Sequence, residues 1–298
     1  MSIIIAKIEN GSCVFRSDTK VSILNEDKTV TGDNKLRLNP NQGVLKLHIV
    51  HPAICLAFAG TVKICVNIIY DLCRKLPMEL NQILTFLQYS LIQYEDDSEF
   101  ILGSYYFEKL ELYKIGTQGI ENGNSFWIGN QDAFSEFQSY YNSDKRKNSS
   151  NDRFRESFDD LIRFSNIPTI GDFIISCYFR NSHKCFVYEE ALISNSGYGI
   201  IKAKANVPTT LSEGTVFEGA FTVTNLVSDR ILRPAVCLYF QKGQIAYLYF
   251  PISNLVKSAI PIVVKDITLE DLKVKVYKQY GINLIGMSLN LGHIKVIK

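Results

Sequence analysis

The chain has 298 residues, 46% of them hydrophobic and 21% charged, a globular composition with length enough for one large or two medium domains. A formal net charge of +2 gives no electrostatic case for nucleic acid, and seven scattered cysteines with four histidines form no CxxC pair or metal-type grouping, so neither a metal nor a cofactor is expected. The opening apolar run is too short for a signal-peptide core and no run approaches the ~18 residues of a membrane span, so the chain reads as cytoplasmic, with reduced and mostly buried thiols and no membrane partner.

The first residues, Met1-Ser2-Ile3-Ile4-Ile5-Ala6-Lys7-Ile8, carry a small residue behind the initiator methionine, and trimming of Met1 would leave Ser2 at the start of the mature chain. An α-amine has an ordinary pKa of about 7.7–8.0 and is partly neutral at physiological pH. Ser2 would then hold a hydroxyl nucleophile and a general base in one residue. Ile3 to Ile8 and Ser12 to Phe15 flank Asn10-Gly11 and predict a β-hairpin, with Ser17-Asp18-Thr19-Lys20 at the end of its second strand. Asn25 to Gly43 is polar and punctuated by Gly32-Asp33-Asn34 and Asn39-Pro40-Asn41, so it reads as a loop or loose hairpin. Val44–Ile49 and Ala53–Phe58 predict a second strand pair around His51-Pro52, closed by Ala59-Gly60-Thr61.

Beyond Gly60 the period changes. Val62, Cys65, Val66, Ile69, Leu72 and Cys73 share a helical face, and Leu80, Ile83, Leu84, Leu87, Leu91 and Tyr94 repeat the pattern after Pro77. Strands are predicted at Phe100–Phe107, Leu110–Ile115 and Ser125–Asn130, then a short helix from about Asp132 to Tyr141. Asn142 to Asn151 is a charged surface loop; Phe154, Phe158, Leu161 and Ile162 mark another amphipathic helix, followed by strands at Phe173–Phe179 and Cys185–Tyr188. From about Ile201 the chain is rich in short β-type runs: Phe217–Val223, Ala235–Phe240, Ile245–Phe250, Ile260–Val264 and Leu289–Ile297, with a helix at Leu269–Tyr280 capped by Thr268.

The order strands, two helices, strands, two helices, strands, together with Ser2, Asp18-Thr19-Lys20, Lys46 and Gly60, resembles a proteasome β subunit and its bacterial two-ring relatives, members of the N-terminal nucleophile (Ntn) hydrolases. In that family a nucleophile opens the first strand, an Asp-Ser/Thr-Arg/Lys motif ends the second, a lysine sits on the third, and a glycine precedes the first helix. The sixteen residues from Ser2 to Asp18 and the fourteen from Lys46 to Gly60 match without a gap, and the insertion falls in the polar Asn25–Gly43 stretch. The element order carries the resemblance over about residues 2–190, its specific motifs over 2–61.

The resemblance implies an α+β fold, a four-layer αββα sandwich in residues 1–200, with 201–298 as a β-rich C-terminal extension or small domain. It implies hydrolysis of peptide or other amide bonds through an acyl-enzyme on Ser2, with Lys46 beside the nucleophile, Asp18 orienting Lys46, and Gly60 offering its N–H to the oxyanion. Thr19, Gly129, Asn166 and Thr169 fall on supporting positions; Asn166 stands where the family carries an aspartate, and Gly129-Asn130-Gln131-Asp132 represents its serine-bearing stretch. The implied partners are a peptide or amide substrate, further copies of the chain meeting through the first two helices, and an unfolding ATPase or other protein. The alternatives are a catalytically inactive scaffold that keeps the fold for assembly, and a small-molecule amidase.

Overall fold

The computed structural model describes residues 3–19, 23–24, 30–31, 43–143, 150–167, 169–171, 173–189, 191–193, 201–202, 216–217, 223–240, 244–290 and 293–297. Strands β1 (Ile3–Glu9) and β2 (Ser12–Asp18) form the expected hairpin, with Asn10 at φ 51° and Gly11 at φ 72°, the double left-handed turn that Asn-Gly favours. Within the polar stretch, β3 (Ile23–Leu24) and β4 (Val30–Thr31) make a short pair. Strands β5 (Leu47–His51) and β6 (Ile54–Ala59) follow, then helices α1 (Val62–Lys75) and α2 (Leu80–Tyr94). Four strands come next: β7 (Glu99–Tyr106), β8 (Lys109–Gly116), β9 (Gly119–Gly123) and β10 (Ser125–Gly129). Helices α3 (Gln131–Tyr141) and α4 (Ser150–Phe164) precede β11 (Ile174–Arg180) and β12 (Cys185–Tyr188).

The remaining elements are β13 (Ala191–Ile193), β14 (Ile201–Lys202), β15 (Val216–Phe217), β16 (Val223–Ser228), β17 (Val236–Phe240), β18 (Ile245–Tyr249), β19 (Ile262–Val264), α5 (Leu269–Tyr280), β20 (Leu284–Asn290) and β21 (His293–Ile297). The fold class is α+β. Antiparallel sheets run in the orders β10-β1-β2-β11-β12, β5-β6-β7-β8-β9 and β19-β18-β17-β16-β20-β21, with β13 also paired to β16. Among the described residues no helix is long and apolar enough to cross a membrane.

The run Ile3-Ile4-Ile5-Ala6 is apolar at every position because β1 is buried on both faces. Ile4 and Ala6 join Phe15, Leu47, Leu56, Phe100 and Leu102 in a core that also takes Cys65, Leu72 and Leu87 from α1 and α2. Ile3 and Ile5 turn the other way, onto Phe137 of α3 and Phe158 and Leu161 of α4. On that side Arg16 is buried, its Nη1 donating to Asp159 Oδ1 and to the Arg155 carbonyl, both at 2.6 Å, which ties α4 to β2.

The same alternation governs the C-terminal sheet. Cys237 and Tyr239 of β17 face Leu272 and Val276 of α5, while Val236, Leu238 and Phe240 join the main core, where Phe240 meets Phe173 edge-on at 5.3 Å. The segment after β18 is latched to β5 and α1. Leu45 N–H donates to the Ala259 carbonyl at 2.8 Å, Ile252 N–H to His48 Nδ1 at 3.1 Å, and Cys73 Sγ to the Ile252 carbonyl at 3.4 Å.

Several boundaries depart from the periodicity. Strand β5 starts at Leu47, because Val44–Lys46 bond to Thr19, Ala259 and Phe58 in an irregular connection. Strand β9 was not expected; its sequence, Gly-Ile-Glu-Asn-Gly, is exposed on both faces over most of its length and has no apolar alternation. Leu289–Ile297, expected as one strand, is split: β20 begins at Leu284 and pairs with β21 as far as Asn290 opposite His293, with 291–292 outside the described residues. The expected Phe217–Val223 strand is β15 and the start of β16, with 218–222 outside the described residues. Residues 144–149 of the charged loop also lie outside them.

His48 gives the fold a pH signature. It is fully buried and stacked on Phe58 at 5.7 Å, and burial pulls its imidazole down to about 3, against a smaller upward pull from the Leu45 backbone. An unfolded histidine titrates near 6.5, so between pH 6.5 and 3 the unfolded chain binds the extra proton; the contribution is complete above 6.5 and lost as pH falls towards 3. Its size is on the order of a few kcal/mol. His48→Gln, which stays neutral, is expected to flatten this part of the stability curve, read by urea unfolding between pH 7 and 4. Equal slopes for the two proteins would show that His48 is not the group responsible.

Candidate active site

The site is built around Asp18, the last residue of β2, whose carboxylate is fully buried. Oδ1 accepts the Ile3 backbone N–H at 3.1 Å and the Lys46 ammonium at 2.8 Å, and Oδ2 accepts the Gly171 N–H at 3.0 Å. Lys46 is 2% exposed and Asp18 0%. Charges taken so far out of water hold together only when the geometry is good and further donors satisfy the remaining lone pairs, which the two backbone amides do here. The carboxylate thus joins the start of the chain, the connection leading into β5, and the loop between α4 and β11.

Each partner arrives by ordinary strand chemistry. Ile3 is set by the β1–β2 register, in which Ile4 opposes Ser17, and by β1–β10, in which Ile3 opposes Gly129. Lys46 precedes β5 and continues its ladder by one rung, its carbonyl accepting Phe58 N–H at 3.2 Å. Thr19 is buried, and its carbonyl accepts Val44 N–H at 2.9 Å, a bond that joins the residue after Asp18 to the segment leading into Lys46.

Ser2 and Met1 lie outside the described residues. Ile3, the next residue in the chain, is the one whose amide meets Asp18. Gly60 is two residues beyond Phe58, the partner of Lys46, at the junction of β6 and α1; it is exposed, at φ +134°, a conformation closed to most side chains. Gly129, opposite Ile3, also has a positive φ of 106°.

The later residues assort differently from expectation. Asn166 is exposed, and the buried neighbour is Ser165, whose Oγ donates to Glu136 Oε2 at 2.7 Å. Thr169 is buried, its Oγ1 accepting from Asn130 Nδ2 at 3.1 Å while Asn130 Oδ1 caps α3 by accepting Ala133 N–H at 2.9 Å. Asn130 and Gly171 are the residues that sequence reasoning passed over. Asn130 stands inside the Gly129–Asp132 run, where a cap position before Ala133 was the available signal, and Gly171 lies two residues beyond Thr169. Gly171 acts through its backbone amide, which no residue type advertises.

The assembled groups can hold a positive charge and a fixed carboxylate beside the first strand's start, with a glycine at a helix N-terminus on the adjoining strand. Two surface grooves lie elsewhere: one of about 710 Å³ between α1 and α2, beside Lys75, Phe86 and Tyr89, and one of about 560 Å³ beside Pro52, Leu232 and Leu255. Among the described residues no group of three or more histidine, cysteine, aspartate or glutamate side chains could hold a metal ion.

No protein-family model matches the chain, and a search of curated proteins returns no match. Among solved structures it is similar to the crystal structure of eukaryotic HslV from Trypanosoma brucei, with 12% identity and a TM-score of 0.44 over 59% of this chain and 98% of that one.

Proposed function

We propose that the chain is a proteasome-like N-terminal nucleophile hydrolase that cleaves peptide or other amide bonds through Ser2 once Met1 has been removed, on a four-layer αββα sandwich spanning residues 1–200 with 201–298 as an extension. The observation that carries this reading is that one buried carboxylate, Asp18, takes both the amide of Ile3, adjacent to Ser2, and the Lys46 ammonium. The layer arrangement is supported by α1 and α2 sharing the core of one sheet and α3 and α4 the outer face of the other.

In the proposed reaction the Ser2 hydroxyl attacks the carbonyl carbon and passes its proton to the α-amine. Lys46 stays protonated, held by Asp18, and its charge favours the neutral amine and the developing alkoxide. The Gly60 N–H donates to the oxyanion, the leaving amine takes the proton, and water then cleaves the acyl-enzyme with the α-amine again as base.

Intact-mass measurement tests the first requirement. The expected result is a chain lacking Met1 that gains an acetyl group from p-nitrophenyl acetate, with Ser2→Ala gaining none. Retained Met1, or equal labelling of Ser2→Ala, overturns the reading. Retained Met1 would leave the second reading, an inactive scaffold, which Asn166 favours because it is exposed and carries no charge.

Lys46→Ala is expected to lower the acylation rate about 10²-fold or more. It should also destabilise the fold by roughly 3–5 kcal/mol, because Asp18 is left buried with its charge uncompensated. The double variant Asp18→Leu/Lys46→Met should recover much of that stability in urea unfolding while remaining inactive; a Lys46→Ala protein that is stable and fully active would end the proposed role of this pair.

For assembly we propose contact between copies through the α1–α2 face, where Tyr89 (58% exposed), Ile92 (49%) and Tyr94 (47%) are open to solvent. Sedimentation should show an oligomer that Ile92→Asp weakens. A strict monomer at micromolar concentration would remove the chambered form of the proposal.

A further inference from the structure

Ser98 lies immediately before β7 and is 2% exposed. Its Oγ accepts the Thr61 N–H at 2.9 Å and donates its own proton to Asp96 Oδ1, which also accepts the Ser98 N–H at 2.9 Å. The single hydroxyl proton is therefore committed to Asp96, and towards the Gly60-Thr61 segment Ser98 acts as an acceptor only. A Cβ built on Gly60 would run into Oγ, Cβ and Cα of Ser98, so the serine also forms the wall under the glycine. On the other side of Gly60, Ala59 is paired with Glu99. Two adjacent residues, Ser98 and Glu99, thus hold both neighbours of Gly60 and leave its backbone one orientation.

We infer that Asp96 and Ser98 are positioning residues for the Gly60 N–H, which they hold at the angle needed to stabilise the oxyanion formed at Ser2; the inference rests on the proposed Ser2 reaction. Ser98 acts by drawing the Thr61 N–H inward, which fixes the peptide that follows Gly60, while the Ala59–Glu99 pairing holds the strand residue whose peptide carries the Gly60 N–H; with both sides held, that N–H keeps one direction. The reaction it assists is the acylation already described: the Ser2 Oγ–carbon bond forms, the Oγ proton passes to the α-amine, and the leaving group departs with the bond electrons.

The test measures acylation of the full chain by p-nitrophenyl acetate, resolved into the limiting rate and the half-saturating ester concentration. Ser98→Ala is expected to lower the limiting rate about tenfold, a part of what losing a whole oxyanion donor removes, with the half-saturating concentration unchanged. Asp96→Asn, which keeps an acceptor for the serine proton, should react at nearly the parental rate, and Asp96→Ala should behave as Ser98→Ala does. Periodate cleavage of the N-terminal serine, which forms no oxyanion at an acyl carbon, serves as the structural control and should proceed equally in all variants. Unchanged acylation in Ser98→Ala, or an equal slowing of the periodate reaction, overturns the positioning role while leaving the Ser2 reaction intact. A parental chain that is not acylated at Ser2 overturns both. Should Ser98→Ala fail to fold, the contrast between Asp96→Asn and Asp96→Ala decides the matter, and equal rates for those two overturn the inference.

Discussion

The Asp18 carboxylate is fully buried in the packed region between β2 and the start of β5, so it must find its donors inside the protein. A buried charge left unsatisfied costs several kcal/mol, so its donors have to arrive together. They come from positions as far apart as Ile3, Lys46 and Gly171. Folding of the first hairpin, docking of the second sheet and closure of the α4–β11 loop therefore converge on one pair of oxygen atoms. The demand that stabilises the fold is the same one that sets the geometry at the chain's start.

The C-terminal part contributes to that geometry from the opposite side. Strand β5 is the edge of its sheet, and an apolar edge with open amides is prone to pair with other chains. Here the Leu45 N–H is taken by Ala259 and the Leu47 carbonyl by the Tyr188 hydroxyl at 2.7 Å, while His48 is locked by Ile252. The residues flanking Lys46 on both sides are thus held by segments beyond residue 180. Strand β17 shows why that packing is firm: its five residues divide between α5 and the main core, so none faces water.

Much of the local structure was legible in the sequence because it depends on neighbours within one turn or one hairpin. Asn10-Gly11 called for the primed turn, the 3.6-residue period located α1 and α2, and Thr268 capped α5 where expected, its Oγ1 accepting Asp271 N–H at 3.1 Å. The family resemblance marked Asp18 and Lys46, two residues that the fold brings into contact. Strand β9 and the β20–β21 hairpin were not legible, since their pairing is supplied by partner strands rather than by apolar alternation of their own.

The sequence by itself determined the first hairpin, the helical faces of α1 and α2 and the cap of α5, consequences of periodicity, propensity and residue chemistry, while the family resemblance marked Asp18 and Lys46. Only the tertiary structure decided that Gly171 donates to Asp18, that Asn130 reaches Thr169, that Asn166 faces solvent, and that Ser98 stands beneath Gly60. Those relations join residues about 37 to 153 positions apart through backbone amides and single hydroxyls. A backbone N–H is present at nearly every position, and so the choice of which one meets a carboxylate is made by packing alone.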